Sequence, residues 1–401
     1  MNDTSTPTAA TSRSPASPAT RPATRWFRVN LWLHRWTSLI ATLPFLILCL
    51  TGTVLIFHEE IDAALGIVPA SQSGGAPQRP LAEGVANVLA AHPGERALSI
   101  GIDPIDHPGV LLVVTAAADE TTFDHAILRF ADLATAQPIG ESEPGKTFTG
   151  LLLELHAQWF LGPVGEVIGA LIALLVFLSL VSGLVVYAPY VKRIAFGVLR
   201  RGKGARLLQL DLHNFIGAIV LGWALVVTAT GFLLGFSTVA IMVWQATALG
   251  GMRAQAAAMA PVDLRHLPVD VDQVIGTALA NAEPDRRVTS VIFPNTNFST
   301  PRHYTVLLNG SNGIQQRLFT AAIIDAESGA LVIDAEPPNY LKAIILSEPL
   351  HFGDYGGLPL KLLWTACTWL TLLITANGAW LWWDRRRRRA PKAVAADGVP
   401  A

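Results

Sequence analysis

Residues 38–57, 164–187, 215–244 and 358–383 are almost unbrokenly apolar, and polar positions crowd into the stretches between them. A helix needs about 20 mostly apolar residues to cross the hydrocarbon core of a bilayer, so the pattern predicts four membrane spans. The first reads as a retained anchor: its run is long for a secretory leader, and no small-x-small cleavage site follows it. Between the first two spans the pattern shortens. It predicts a helix at 81–91, strands near 97–102, 110–115 and 125–130, a turn at 131–137 and a short strand from Pro138 to Gly140. Between the last two it predicts a helix at 269–282 and strands near 288–293, 303–308 and 316–324. The turn signal Asp325-Ala326-Glu327-Ser328-Gly329 then precedes Leu331-Val332-Ile333.

Composition supports a polytopic membrane protein. Of 401 residues, 51% are hydrophobic and 15% charged, whereas charged residues make up about a quarter of soluble domains. A net charge of −1 excludes a nucleic-acid binder held by overall charge. Cys49 and Cys367 both lie in apolar runs, which excludes a disulfide framework and a CxxC redox or zinc site. Residues 1–24, rich in Ser, Thr, Ala and Pro, hold too little apolar surface to fold and read as a disordered tail. Of the 29 Lys and Arg residues, 17 fall in 1–36, 190–212 and the segment after Trp383, beside only four acids. The other 12 bases and 26 acids lie, all but Lys361 and Glu166, in the two long loops. The positive-inside rule therefore expects both termini and the middle loop in the cytoplasm, with the long loops outside.

The two halves of the chain repeat one spacing. Leu33-His34 opens the first span and Leu212-His213 the third; Thr51-Gly52 and Thr230-Gly231 follow 17 and 18 positions later. Leu155-His156 precedes the second span and Leu350-His351 the fourth; Ser182-Gly183 and Asn377-Gly378 follow 26 and 27 positions later. Each half reads span, outside domain, span in the same direction, as expected of parallel repeats related by an axis along the membrane normal.

The repeat singles out four of the ten histidines. It expects His34 and His213 at the inner face and His156 and His351 at the outer face, one imidazole of each pair from each half. Ionisable groups bordering a span are costly and mark function. Two opposed neutral imidazoles suit the axial positions of an iron porphyrin, a ligation that favours electron transfer over oxygen activation. Zinc fits less well, because no Cys or carboxylate recurs beside each histidine to complete four ligands. A proton relay leaves the pairing unexplained, and a polar interfacial anchor is the structural alternative. His58 competes as an outer ligand, and its match in the second half is Ser237. His92, His107, His125, His266 and His303 read as solvated loop residues. Gly52, Gly183, Gly231 and Gly378 recur in register, where small residues admit either a helix or a flat cofactor. Arg35 is a candidate contact for a haem propionate, with an ordinary positive-inside charge as the alternative. Arg385 to Arg389 read as a stop-transfer and headgroup anchor.

These residues carry a family resemblance. Leu33-His34-Arg35-Trp36, Leu155-His156, Asp211-Leu212-His213, Pro349-Leu350-His351-Phe352-Gly353 and Gly378-Ala379-Trp380-Leu381-Trp382 resemble the PepSY-associated transmembrane family of iron-regulated inner-membrane proteins, which includes ferric-siderophore reductases. The two outside modules are similar to PepSY domains. The copy ending at 325–332 is the clearer one, since 131–140 lacks the Asp-x-x-[Ser/Thr]-Gly turn. The resemblance implies an all-α four-helix transmembrane bundle of tandem duplicated two-helix halves, with two small α+β PepSY-like domains outside. Its parts are a tail (1–24), a first span (25–58), a periplasmic domain (59–150) and a second span with its histidine segment (151–190). A cytoplasmic loop (191–212), a third span (213–245), a second domain (246–345), a fourth span with its histidine segment (346–384) and a basic tail (385–401) complete it.

The resemblance also implies two haems b per chain, ligated by His34, His213, His156 and His351. The protein would be an oxidoreductase of the bacterial inner membrane, passing electrons from the cytoplasm to a ferric siderophore and so releasing ferrous iron. A core about 30 Å thick is too wide for one efficient electron transfer, and a haem near each face would divide it. With no GxGxxG fingerprint in the chain, the donor is expected to be a separate cytoplasmic reductase or a membrane quinol. Two alternatives stand beside this: a non-enzymatic PepSY protein that binds a periplasmic protease or partner, and a dihaem conduit to another periplasmic acceptor. The expected partners are thus a siderophore, a donor and membrane lipid, without nucleic acid.

Overall fold

The computed structural model describes residues 24–71, 78–104, 107–191, 196–256, 259–260, 262–264, 266–353 and 355–389. Apart from Thr24 the expected N-terminal tail lies outside the described residues, as do Lys192, Arg193 and residues 390–401. In chain order the helices begin with α1 (Arg25–Leu55), α2 (His58–Ala64), α3 (Leu81–Ala91), α4 (Phe148–Leu153) and α5 (Pro163–Val191). They continue with α6 (Ala205–Leu234), α7 (Ser237–Trp244), α8 (Gly250–Ala256), α9 (Val271–Asn281), α10 (Asn339–Phe352) and α11 (Gly357–Arg389). Among the described residues α1, α5, α6 and α11 are long and apolar enough to cross a membrane.

Sequence accounts for how these helices start and stay satisfied. The Thr24 hydroxyl accepts from the Phe27 N–H at 3.3 Å and caps α1. Inside the helices, hydroxyls donate back one turn, as Thr37 does to the Leu33 carbonyl and Thr228 to that of Ala224. No polar hydrogen of these groups then faces lipid unpaired.

The third helix differs from its apolar run. It starts ten residues earlier, at Ala205, and stops ten residues earlier, at Leu234. Hydropathy registers lipid exposure, whereas the helix extends through the polar Gln209, Asp211 and Asn214, the Asp211 carboxylate being held by Tyr190 and Arg200. It stops where Gly235 presses on α5: a Cβ there would lie 2.7 Å from that of Ala170. After Phe236 the chain re-enters a helix at Ser237, just as it does at His58 after Phe57.

The segments between the spans were expected as two modules and form one antiparallel sheet. Its strands are β1 (Glu95–Ile102), β2 (Val110–Ala117), β3 (Ile127–Asp132), β4 (Pro138–Ser142), β5 (Arg286–Ile292), β6 (His303–Gly310), β7 (Phe319–Asp325) and β8 (Leu331–Ala335). They run in the order β4-β3-β2-β1-β5-β6-β7-β8. The two sets of four join through β1 and β5, where Ser99 faces Ile292, Ile100 faces Val291 and Gly101 faces Ser290. One set's edge strand is thereby covered by the other, which removes two unpaired edges.

Helices α3 and α9 cover one face of this sheet. Val88 and Val274 of the helices and Ile100, Val113, Val291, Val306 and Ile324 of the strands have no measurable exposure. Burying such a side chain contributes about 1.5–3 kcal/mol. Asp272, in the first turn of α9, accepts from the N–H groups of Leu81 and Ala82, both at 2.9 Å, and so caps α3.

Two sequence expectations need correction here. Segment 131–140 does form the Asp turn: Asp132 accepts from the Ala134 and Thr135 N–H groups, both at 3.0 Å, as Asp325 does from Glu327 and Ser328. Ala136 takes the glycine's place with φ 58°, against 72° at Gly329. His303 is not solvated but buried, its Nδ1 bonded to the Thr300 hydroxyl at 2.6 Å.

Candidate functional site

Packing of α5 against α6 and of α1 against α11 joins the two halves and brings the four repeat histidines together in two pairs. His34 and His213 have ring centres 6.3 Å apart with planes at 69°. His156 and His351 also lie 6.3 Å apart, with planes at 63°. Along α1, 18 residues separate His34 from Gly52, which contacts His156. At 1.5 Å per residue that places the pairs about 27 Å apart along the bundle. His156 and His351 are at the sheet end, His34 and His213 at the far end.

The two pairs are delivered differently. His34 and His213 project from inside long helices. His156 lies in a π-helical turn, Glu154–Gln158, that ends at Trp159 and Phe160 with φ of 52° and 56°. Left-handed backbone at two bulky residues is strained, and it turns the chain sharply from the histidine segment into α5. His351 ends α10, where Gly353 makes the equivalent reversal with φ 74°.

Each imidazole is oriented by its Nδ1. His34 bonds to the Ser179 carbonyl at 2.8 Å, and His213 to that of Ile374 at 3.2 Å. His351 bonds to the Val227 carbonyl at 3.0 Å. His156 meets the Thr51 hydroxyl at 2.8 Å, and that hydroxyl donates onward to the Ile47 carbonyl. All four acceptors assign the proton to Nδ1, leaving Nε2 of each ring without it and able to accept.

The repeat glycines explain how the rings fit. A Cβ on Gly183 would lie 2.9 Å from His34 Cε1, and one on Gly231 2.9 Å from His351 Cε1. On Gly52 it would lie 3.1 Å from His156, and on Gly378 3.3 Å from His213. One glycine thus serves each histidine. The sequence flagged the glycines but not this pairing, nor the carbonyls that hold Nδ1.

Other candidates fall outside the pairs. His58 opens α2 with its Nδ1 on the Leu55 carbonyl at 2.9 Å and faces no second imidazole. Arg35 adjoins His34 and has a buried Nε without a hydrogen-bond partner. Asp211, two residues before His213, receives the Arg200 Nε at 2.9 Å and the Tyr190 hydroxyl, which fastens the connection between α5 and α6. Among the described residues no three His, Cys, Asp or Glu side chains gather as a metal-binding group.

A cavity of 870 Å³ lies between the sheet and the adjoining end of the bundle. Pro349, two residues before His351, lines it together with Glu59, Glu60 and Lys361. Nothing local in the sequence announces this space, because it arises where distant segments meet. No curated protein matches the chain. The model of the PepSY-associated TM region matches residues 31–385, which take in both histidine pairs and the whole sheet, and the chain belongs to that family.

Proposed function

We propose that the protein is a haem b-containing transmembrane electron-transfer protein that passes electrons from a cytoplasmic reductase or a membrane quinol to a ferric chelate, a siderophore, reducing its iron and so releasing ferrous iron. The observation that carries this reading is the 6.3 Å spacing of both imidazole pairs. A metal held between two imidazoles by bonds of about 2 Å, with about 1 Å from each nitrogen to its ring centre, needs centres about 6 Å apart. Each bare Nε2, fixed by an Nδ1 hydrogen bond, supports axial ligation. His34 and His213 would hold one haem, His156 and His351 the other.

Haem iron held by these histidines would supply one-electron transfer. The chain's own residues do the rest. Carbonyls of Ser179, Ile374 and Val227 and the Thr51 hydroxyl keep the rings from rotating. The glycines admit them between the helices. The unpartnered Nε of Arg35 supports its meeting a carboxylate beside His34 in this reading. In this reading the two halves are tandem duplicates and their α+β parts are PepSY domains. The basic far end faces the cytoplasm and the sheet faces the periplasm. The cavity beside His351 supports a small-molecule acceptor, since its volume suits a ligand of drug-like size.

The test is an absorption spectrum of the purified full chain, followed by His→Ala replacement at each of the four positions. Two six-coordinate low-spin haems are expected, with the far one lost in H34A or H213A and the other in H156A or H351A. A colourless preparation, or four variants with unchanged haem content, overturns the reading.

A further inference from the structure

The ceiling of the 870 Å³ cavity is the sheet face turned away from α3 and α9. Because side chains alternate along a strand, Leu112, Leu128 and Phe130 line its apolar half, and Arg287, Thr289 and Asn309 its polar half. The floor is the end of the bundle, with Glu59, Glu60 and Lys361.

Most charge in this space is already spent. Lys361 donates to Glu59 at 3.0 Å and Glu60 at 2.8 Å. Thr289 donates to the Asn309 amide oxygen at 2.9 Å, and the Asn309 amide donates to the Gln316 carbonyl at 2.8 Å. Arg287 is the exception. Its neighbour Arg286 points to the other face and pairs with Glu283 at 3.5 Å. Arg287 itself forms no ion pair among the described residues, and its Nε is buried without a partner. Four carboxylates, Glu59, Glu60, Asp103 and Glu348, line the same cavity, yet none is paired with it. A guanidinium held partly out of water with no counter-ion is costly. Its planar fork matches a carboxylate through two parallel bonds.

We propose that Arg287 is an anion-binding subsite of this cavity. It takes a small metal chelate bearing a free carboxylate, whose apolar part lies under Leu112, Leu128 and Phe130. The role of that chelate as electron acceptor rests on the function proposed above, whereas its binding does not.

The experiment is calorimetric titration of the purified full chain with gallium(III) citrate, a redox-inert anionic chelate, and with a neutral gallium trihydroxamate. Wild-type protein is expected to bind the citrate chelate more tightly. R287Q should weaken that binding about tenfold or more, R287K should restore part of it, and R286Q, on the opposite face, should leave it unchanged. The neutral chelate should bind R287Q and wild type alike. Equal citrate affinity in R287Q and wild type, an equal loss in R286Q, or no binding to wild type overturns the subsite. Haem absorbance of the same samples separates the two readings. Colourless protein that still needs Arg287 for binding removes the electron-transfer function and keeps the subsite. Haem-loaded protein indifferent to Arg287 does the reverse.

Discussion

Glu166 and Lys361 stand ten residues after His156 and His351, and each holds the short helix that follows a spanning helix of the other half of the chain. Glu166 accepts from the Thr238 hydroxyl at 2.8 Å, at the start of α7. Lys361 donates to Glu59 and Glu60 at the start of α2. The place is the same and the charge opposite. Only the Lys361 version opens onto the cavity.

Lys361 is therefore expected to stabilise the junction of sheet and bundle. Its side chain is 8% exposed, against 38% and 50% for the two glutamates. K361M leaves two like charges facing each other without a cation and should cost about 1–2 kcal/mol. Adding E60Q should recover part of the loss. Thermal unfolding of the full chain in detergent measures both, and an unchanged midpoint in K361M would show that this ion cluster contributes nothing.

Close approach of glycine to imidazole makes a second, graded prediction. Alanine at Gly183 or Gly231 puts a methyl 2.9 Å from a ring whose Nδ1 is already tethered, so ring or helix must move. Gly378, at 3.3 Å, leaves more room. Under the proposed function, G183A should lower occupancy of the far haem and G231A that of the sheet-side haem, each sparing the other. G378A should be the mildest. Haem per chain, read from absorbance, checks the order.

The turns of the sheet test backbone strain apart from any cofactor. Ala136 adopts the left-handed conformation that Gly329 takes in the matching turn, at a cost of about 1–2 kcal/mol for a residue with a Cβ. A136G relieves that strain but gives up a buried methyl, worth about 0.8 kcal/mol. It should be neutral or slightly stabilising. G329A should destabilise by about 1 kcal/mol, because its new methyl gains only ordinary contact with Val269. A denaturant midpoint lowered in A136G and unchanged or raised in G329A would refute the strain argument at both turns.

These residues also show what a sequence can disclose. The histidine pairs were legible because identical spacings in two halves force identical levels in the bundle. Helix α3 was legible to the residue, since Pro80 and His92 bound a short apolar period. The union of β1 with β5 was not, because strand pairing across nearly 200 residues leaves no local mark. Ala136 hid its turn, for the eye seeks glycine where φ is positive. His303 looked like a loop residue until Thr300 and Asp325 closed around it. The cavity, made by the sheet and by helix ends far apart in sequence, had no signal at all.

Asp325, Arg302 and His303 give the sheet an acid sensitivity in two stages. Burial opposes ionisation of Asp325, but Arg302 at 2.5 Å and the Ser328 and Glu327 N–H groups outweigh it and hold the carboxyl at about 2, below its usual 3.8. A depressed carboxyl adds stability above its unfolded value and loses it as pH falls from about 4 through about 2. Burial pushes His303 below its ordinary 6.5, with the Asp325 charge only partly offsetting it. The unfolded chain then binds that proton first, so stability begins to decline as pH falls below 6.5. Melting temperatures of the full chain between pH 7 and 2 should fall in both windows. D325N should start lower at pH 7, having left Arg302 with only the exposed Glu327 as its carboxylate, and should lose the slope between 4 and 2. H303Q should flatten the slope just below 6.5. Unchanged profiles in both variants would place the acid response elsewhere in the molecule.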